Sequence, residues 1–306
     1  MSAADDSAPK VGVCPFTGRR LGDPPAVPAP EAGLRAGPAL APYVPPFGPA
    51  FARDPIQEHR PDGPRTLLLT GASRGIGHAT VKRFASAGWR VLTVSRHAFP
   101  EGACPWPGGE RDHVQLDLGD LGAIDRVVAD VRDRLGNGRL DALVNNAGIS
   151  PKGEEGARLG ALETDAETWQ RVMAVNLVST ALLARGLFAE LRAAQGAIVN
   201  VTSIAGTRVH PYAGVAYACS KAALAALTRE MAHDFGRYGV RVNAIAPGEI
   251  NTSILSPGTD EMVQREVPMG RLGTTAEVAE TIFFLCTAGA SYVNGAEIHI
   301  TGGQHV

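Results

Sequence analysis

Thr66-Leu67-Leu68-Leu69-Thr70-Gly71-Ala72-Ser73-Arg74-Gly75-Ile76-Gly77 runs from an uninterrupted apolar stretch into a loop containing three glycines. The apolar stretch reads as a buried strand, and helical periodicity follows the loop through about Gly88. A second such stretch, Arg90-Val91-Leu92-Thr93-Val94, comes next at the spacing of a strand-helix-strand unit. A tight turn between a first strand and a first helix lets backbone N–H groups and a helix N-terminus approach a pyrophosphate, which bulky side chains would obstruct. Gly71, Gly75 and Gly77 meet that need. Their Gly-x-x-x-Gly-x-Gly spacing differs from the common Gly-x-Gly-x-x-Gly dinucleotide fingerprint.

Working outward, further strands are expected at His113 to Leu116, Leu140 to Val144, Ala197 to Val201, Val240 to Ile245 and Glu297 to Ile300, with helical segments between them. That alternation predicts an α/β domain over 63–306, a doubly wound parallel sheet covered by helices on both faces. Thr274-x-x-Glu277 fits a capping box opening the helix that contains Val278, Ile282, Phe283 and Leu285. Residues 1–62 differ: they hold about half of the chain's 22 prolines and little hydrophobic periodicity. They read as a Pro/Ala/Gly-rich arm. Cys14-Pro15-Phe16-Thr17-Gly18 and Tyr43-Val44-Pro45-Pro46-Phe47 are candidate anchors for it, a flexible extension being the alternative.

With 306 residues and 44% hydrophobic content the chain can bury a substantial core. Net charge is −2 and no stretch clusters Lys and Arg, so neither nucleic acid nor an anionic membrane is expected as a partner. Cys14, Cys104, Cys219 and Cys286 are scattered, without metal-ligand or disulfide spacing, and read as reduced thiols in a cytoplasm; no metal is expected. No apolar run approaches the roughly 20 residues of a membrane span, and no leader pattern precedes the domain.

Tyr217 and Lys221 stand four residues apart in Tyr-Ala-Cys-Ser-Lys, fourteen residues after Ser203. In a helix they share a face, bringing the Lys221 ammonium near the Tyr217 phenol. A nearby cation favours phenolate, so a lowered phenol pKa is expected, each unit being worth roughly 1.4 kcal/mol. Cys219 between them reads as a small packing residue. Asp234 and His233 read as surface groups, and His210 as a loop histidine in solvent, with contact to a polar substrate substituent as the alternative.

Residues from about 65 to 306 resemble the short-chain dehydrogenase/reductase family. The resemblance rests on ordered motifs: Thr70 to Gly77; Asp117 after the third strand; Asn145-Asn146-Ala147-Gly148 after the fourth; Asn176 in Val175-Asn176-Leu177; Ser203; Tyr217 with Lys221; and Pro247-Gly248 leading to Thr252. It implies a single Rossmann-like domain and hydride exchange between a nicotinamide dinucleotide and an alcohol or carbonyl. It implies a dinucleotide site made from Gly71, Ser73, Arg74, Gly75, Ile76, Gly77, Ser95, Arg96, Asp117, Leu118, Asn145, Ala147, Gly148, Tyr217, Lys221, Pro247, Gly248, Ile250 and Thr252. Within it Asp117 would contact the adenine, Asn145 to Gly148 would line the trough, and Ile250 and Thr252 would hold the carboxamide. It also implies a catalytic set. Ser203 and Tyr217 would hold the substrate oxygen, Tyr217 would give the proton, Lys221 would lower its pKa and bind ribose, and Asn176 would hold a water joining Lys221 to solvent. Thr202 is a neighbour that could be mistaken for Ser203.

The second strand ends Thr93-Val94-Ser95-Arg96, without the carboxylate that would bind both adenosine ribose hydroxyls. Arg96, with Arg74, can pair with a 2′-phosphate, so NADP(H) is expected over NAD(H). Specificity is expected from Ile149 to Gly153, the His210 loop and Glu249 to Pro268, with Lys152 either attracting an anion or solvated. Among family members the chain is most similar to 3-oxoacyl carrier-protein reductases. It departs from them in the arm and in Tyr238, where a basic residue would be expected beside Arg237. A carbonyl reductase, an NAD-linked alcohol or sugar dehydrogenase, and a dinucleotide-binding scaffold are the three readings, in that order. The family also implies a homo-oligomer, dimer or tetramer, packed through small-residue helix faces around Ala174 to Leu187 and Ala222 to Met231.

Overall fold

The computed structural model describes residues 63–99, 108–252, 255 and 258–306. The arm over 1–62, its two candidate anchors and Cys104 lie outside these residues. Seven parallel strands form one sheet: β1 (Thr66–Thr70), β2 (Arg90–Ser95), β3 (His113–Gln115), β4 (Ala142–Asn145), β5 (Ala197–Val201), β6 (Arg241–Pro247) and β7 (Glu297–Ile300), in the order β3-β2-β1-β4-β5-β6-β7. All seven expected strands are present and parallel, with shifts of one or two residues at some ends. The β3/β4 crossover reverses direction beside β1, the switch point at which open parallel sheets bind ligands.

Both faces are covered. Leu67 and Leu69 of β1 point to one side, where α1 (Gly75–Ser86) and α8 (Thr275–Cys286) contribute Val81, Phe84, Ile282 and Phe283. Leu68 points to the other, packing with residues of α2 (Ile124–Leu135), α4 (Ser179–Gly186) and α6 (Val215–Gly236). With both faces buried, the strands read as continuous apolar runs and not as alternating ones. Phe84, Trp89 and Phe283 close the first layer edge to face, with Phe84 at 5.0 Å from each of the others.

A helical stretch from α3 (Ala166–Met173) into α4 passes through a π-helical turn, Ala174–Val178. α5 (Phe188–Ala194) and α7 (Thr259–Glu266) complete the longer helices among the described residues, none of which is by itself long and apolar enough to cross a membrane.

The capping box is formed as expected: Thr274 Oγ1 accepts from Glu277 N at 3.2 Å, and Glu277 Oε2 accepts from Thr274 N at 2.7 Å. Thr274→Ala should therefore lower stability by about 1 kcal/mol. The check is a fall in the urea midpoint at unchanged slope; an unmoved midpoint would count against the cap.

Candidate active site

The C-terminal ends of β1, β2, β4, β5 and β6 open into a cleft of about 520 Å³. Its floor is the glycine loop. Gly71 has φ of +73°, and a Cβ there would lie 2.8 Å from Ala147 Cα. A Cβ on Gly77 would lie 2.1 Å from the Gly71 carbonyl oxygen and 2.6 Å from Asn146 Nδ2. Gly77 thus does not line the cleft; it lets α1 sit directly against the loop. Asn146 fastens the loop, donating from Nδ2 to the carbonyls of Thr70 (3.0 Å) and Gly71 (2.9 Å). Asn145, expected in the trough, ends β4 buried behind it, with Nδ2 donating to Asn200 Oδ1 at 2.9 Å. Strand alternation turns its side chain into the sheet layer and leaves Asn146, Ala147 and Gly148 on the cleft.

Arg74, the residue before α1, is extended and makes no side-chain cap, and the helix's first turn has no acidic residue. The N–H groups of that turn are left for an anionic ligand. Ser73, Arg74, Gly75 and Ile76 line this part of the cleft, and Ser95, Arg96, His97, Asp117 and Leu118 line the end beyond β2. Arg96 is exposed there. Asp117 is paired: Arg171 of α3 donates to both its oxygens, at 2.9 and 2.7 Å, which with the Gly119 N–H holds the Asp117 carboxyl below the usual carboxylate range. Glycine at 119 leaves room for this guanidinium, since a Cβ there would lie 1.7 Å from Arg171 Nη1. This set of donors, small residues and an α1 N-terminus fits a dinucleotide.

At the opposite end, Ser203 follows β5 in extended conformation, its Oγ accepting from Ala205 N at 3.2 Å. Tyr217 stands in the first turn of α6, lining the cleft with Ser203, whose hydroxyl is near enough to act on the phenol's pKa. One turn later Lys221 is buried, with Nζ donating to Val201 O at 2.7 Å and lying 5.5 Å from the Tyr217 ring centroid. Thr202 is engaged elsewhere, donating to Ile245 O at 2.8 Å. Pro247, Gly248, Ile250 and Thr252 line the wall from β6.

The expected closeness of Lys221 and Tyr217 is found, but its electrostatic consequence is not. Burial pushes the Tyr217 phenol up; the Ser203 hydroxyl works against this and the Glu249 carboxylate adds to it. Burial likewise pulls the Lys221 ammonium down, to about 8. Each group loses more solvation than its neighbour returns.

Asn176 lies in the π turn, buried, and does not line the cleft directly. Its Oδ1 accepts from Ile149 N at 2.8 Å, and its Nδ2 donates to Ile149 O and to Ser220 Oγ, each at 3.0 Å. It meets Lys221 behind Gly148, where a Cβ would sit 3.3 Å from Lys221 Nζ and 3.5 Å from Asn176 Oδ1.

Three groups differ from their sequence reading. His210 is in the cleft wall and not in solvent, with Nε2 2.6 Å from Glu249 Oε1 and side-chain exposures of 12% and 8% for the pair. Lys152 is half-buried, donating to the Tyr212 carbonyl, and burial lowers its pKa. Cys219 is exposed and not packed within its own chain. Glu249 directly after Pro247-Gly248 was a usable signal for the first; no local pattern announces its partner. His233 and Asp234 are on the surface as expected.

Comparison with known proteins agrees with this geometry. A family profile described as Enoyl-(Acyl carrier protein) reductase matches residues 71–305. Protein FixR of Bradyrhizobium diazoefficiens is 58% identical over 243 residues, covering 79% of this chain and 87% of that protein. A crystal structure of an oxidoreductase of the short chain dehydrogenase/reductase family from Brucella ovis, in complex with a partially ordered NAD, is 59% identical. It covers 78% of this chain and 100% of its own, with a TM-score of 0.68. A 3-oxoacyl-[acyl-carrier protein] reductase from Brucella melitensis with bound NAD is 31% identical over 86% of this chain and 98% of its own, with a TM-score of 0.70. The glycine floor, the parallel sheet and the Ser203, Tyr217 and Lys221 cluster are thus found in a chain that belongs to the short-chain dehydrogenase/reductase family of oxidoreductases.

Proposed function

We propose that the chain is an NADP(H)-linked reductase that converts a ketone or 3-oxoacyl carbonyl into a secondary alcohol, with Tyr217 as proton donor. The observation that carries this reading is the grouping of the Ser203 hydroxyl, the Tyr217 phenol and the buried Lys221 ammonium at the C-terminal end of β5. A nicotinamide dinucleotide supplies the hydride when bound. The chain's own residues do the rest: Ser203 and Tyr217 hold the carbonyl oxygen, and Tyr217 hands it a proton. Lys221 keeps a positive charge beside the phenol below about pH 8. Asn176 fixes Ile149 and Ser220, and through them the position of the Lys221 turn. A phenol pushed up by burial stays protonated at neutral pH, the state a proton donor requires.

Support for NADP(H) is the charge at the β2 end. Arg96 and Arg74 both line the cleft there, and residues 95–97 carry no carboxylate. A 2′-phosphate would receive charge-assisted hydrogen bonds from them. The relative bound to partially ordered NAD supports entry of the non-phosphorylated dinucleotide as well, so preference and not exclusion is proposed. Arg96→Asp should lower the NADPH-over-NADH ratio of kcat/KM by about 100-fold. An unchanged ratio would remove Arg96 from the phosphate site.

The same reading makes the protein a cytoplasmic homo-oligomer, a dimer or tetramer. Ala222 is exposed and Ala223 and Ala226 are half-buried along α6, a small-residue face suited to close helix packing. The function is tested by following nucleotide absorbance with NADPH and NADH against ketones, 3-oxoacyl thioesters and sugars. Turnover that prefers NADPH and is lost in Tyr217→Phe supports it; preferential oxidation of alcohols by NAD would favour the dehydrogenase reading.

A further inference from the structure

We propose that Glu249 recognises the substrate, reading a hydroxyl on a carbon next to the reacting carbonyl, and that the substrate class is an α-hydroxy ketone reduced to a vicinal diol. This rests on the reductase reading above and narrows it.

Glu249 is built into the wall. Its carbonyl accepts from Gly273 N at 2.9 Å, and the next residue, Ile250, bridges to Gly273, so the backbone is pinned where it leaves β6. The side chain is aimed by His210. His210 Nδ1 accepts from Tyr212 N at 3.2 Å, which leaves the ring hydrogen on Nε2, and Nε2 donates to Glu249 Oε1 at 2.6 Å. Among the described residues no hydrogen bond reaches Glu249 Oε2, although the side chain is only 8% exposed. That oxygen is also not among the atoms sealed inside the protein without a partner. It therefore faces the cleft, which Glu249 lines together with Ser203, Tyr217 and His210.

A carboxylate oxygen drawn out of bulk water and given no donor by the described residues is an acceptor awaiting one from a ligand. The Glu249 charge is felt at the Tyr217 phenol, so the two groups serve the same end of the cleft. A ligand whose carbonyl oxygen meets Ser203 and Tyr217 then presents its flanking carbons to Glu249. A hydroxyl there completes the carboxylate's hydrogen bonding. A methylene leaves it unmade and a carboxylate is repelled, so neither a simple ketone nor a keto acid is matched. His210 is a positioning residue, acting through Glu249.

The test compares 2-butanone with 1-hydroxy-2-butanone and 3-hydroxy-2-butanone, which differ from it by one hydroxyl on either side of the carbonyl. With the full chain and NADPH, at least one hydroxy ketone should exceed 2-butanone in kcat/KM by about 100-fold or more. That ratio should collapse to within about fivefold in Glu249→Ala and fall to an intermediate value in Glu249→Gln, which keeps the shape and loses the charge. His210→Ala should raise KM for the hydroxy ketone more than it lowers kcat, with partial rescue in His210→Gln. Comparable turnover of all three ketones by the unaltered protein, or a ratio unmoved in both Glu249 variants, overturns the proposal and leaves the reductase reading standing. Calorimetry on the dinucleotide-bound protein separates the two ideas. Glu249-dependent binding of a hydroxy ketone without turnover supports the recognition site and counts against the reductase; neither binding nor turnover counts against both.

Discussion

Tyr217→Phe is expected to lower kcat for ketone reduction by about 10³-fold while leaving dinucleotide affinity within about threefold, because a positioned proton donor contributes on that scale and the ring remains. Two features make the loss larger than that of an ordinary buried hydroxyl. Ser203, whose Oγ accepts from Ala205 N, still has a hydroxyl to donate, but an aliphatic alcohol is too weak an acid to replace the phenol as the source of the proton. Lys221 cannot substitute, because its ammonium is turned to Val201 O at 2.7 Å. The unaltered enzyme should also show a falling limb in reductive kcat/KM near pH 8: Lys221 is charged below about 8 and neutral above it, so the cation beside the phenol disappears as pH rises. Lys221→Arg should move that limb upward. Stopped-flow nucleotide absorbance across pH, on both variants, checks each statement, and a Tyr217→Phe enzyme with near-normal kcat would remove Tyr217 from the chemistry.

Gly77→Ala should cost about 3 kcal/mol of stability, at the upper end for overpacking, and should weaken dinucleotide binding more than tenfold. The added methyl would meet the Gly71 carbonyl oxygen at 2.1 Å, a backbone atom with no rotamer to change. Relief requires moving either the loop or the start of α1, and both belong to the floor of the cleft. Gly122→Ala is the control. Its Cβ would find Asp120 Oδ1 at 3.5 Å, an ordinary contact, in a short helical turn that tolerates alanine. Urea unfolding of the two variants should therefore separate widely; equal midpoints would mean that the loop is softer than its packing implies.

The sheet was legible because its strands are buried on both faces and so stand out as apolar runs. Where boundaries moved, the reason is local: β4 begins at Ala142 and not at Leu140, because Leu140 N turns to Glu190 O, away from the neighbouring strands. In the cleft, what depends on short spacing was readable, as with Tyr217 and Lys221 on one helical face. What depends on folding was not. His210 and Glu249 are 39 residues apart, Asp117 and Arg171 are 54 apart, and both pairs have one member on a segment of unremarkable sequence. The sign of the Tyr217 shift is opposite to that expected from spacing for a related reason. Spacing reports which charge is near, whereas desolvation depends on everything that surrounds it.

The π turn at Ala174–Val178 sets an angular phase. Arg171, one turn before it, grips Asp117 at the β2 end of the cleft, and Asn176, inside it, holds Ile149 and Ser220 at the Tyr217 end. One helical segment thus serves as a camshaft for both ends, and each residue of a regular helix advances by about 100°. Deleting a single residue from the turn would smooth the helix and rotate one lobe against the other, so that Arg171 and Asn176 could no longer both reach their partners. The irregularity is a timing mark, and a shorter, straighter helix would be the more damaging change.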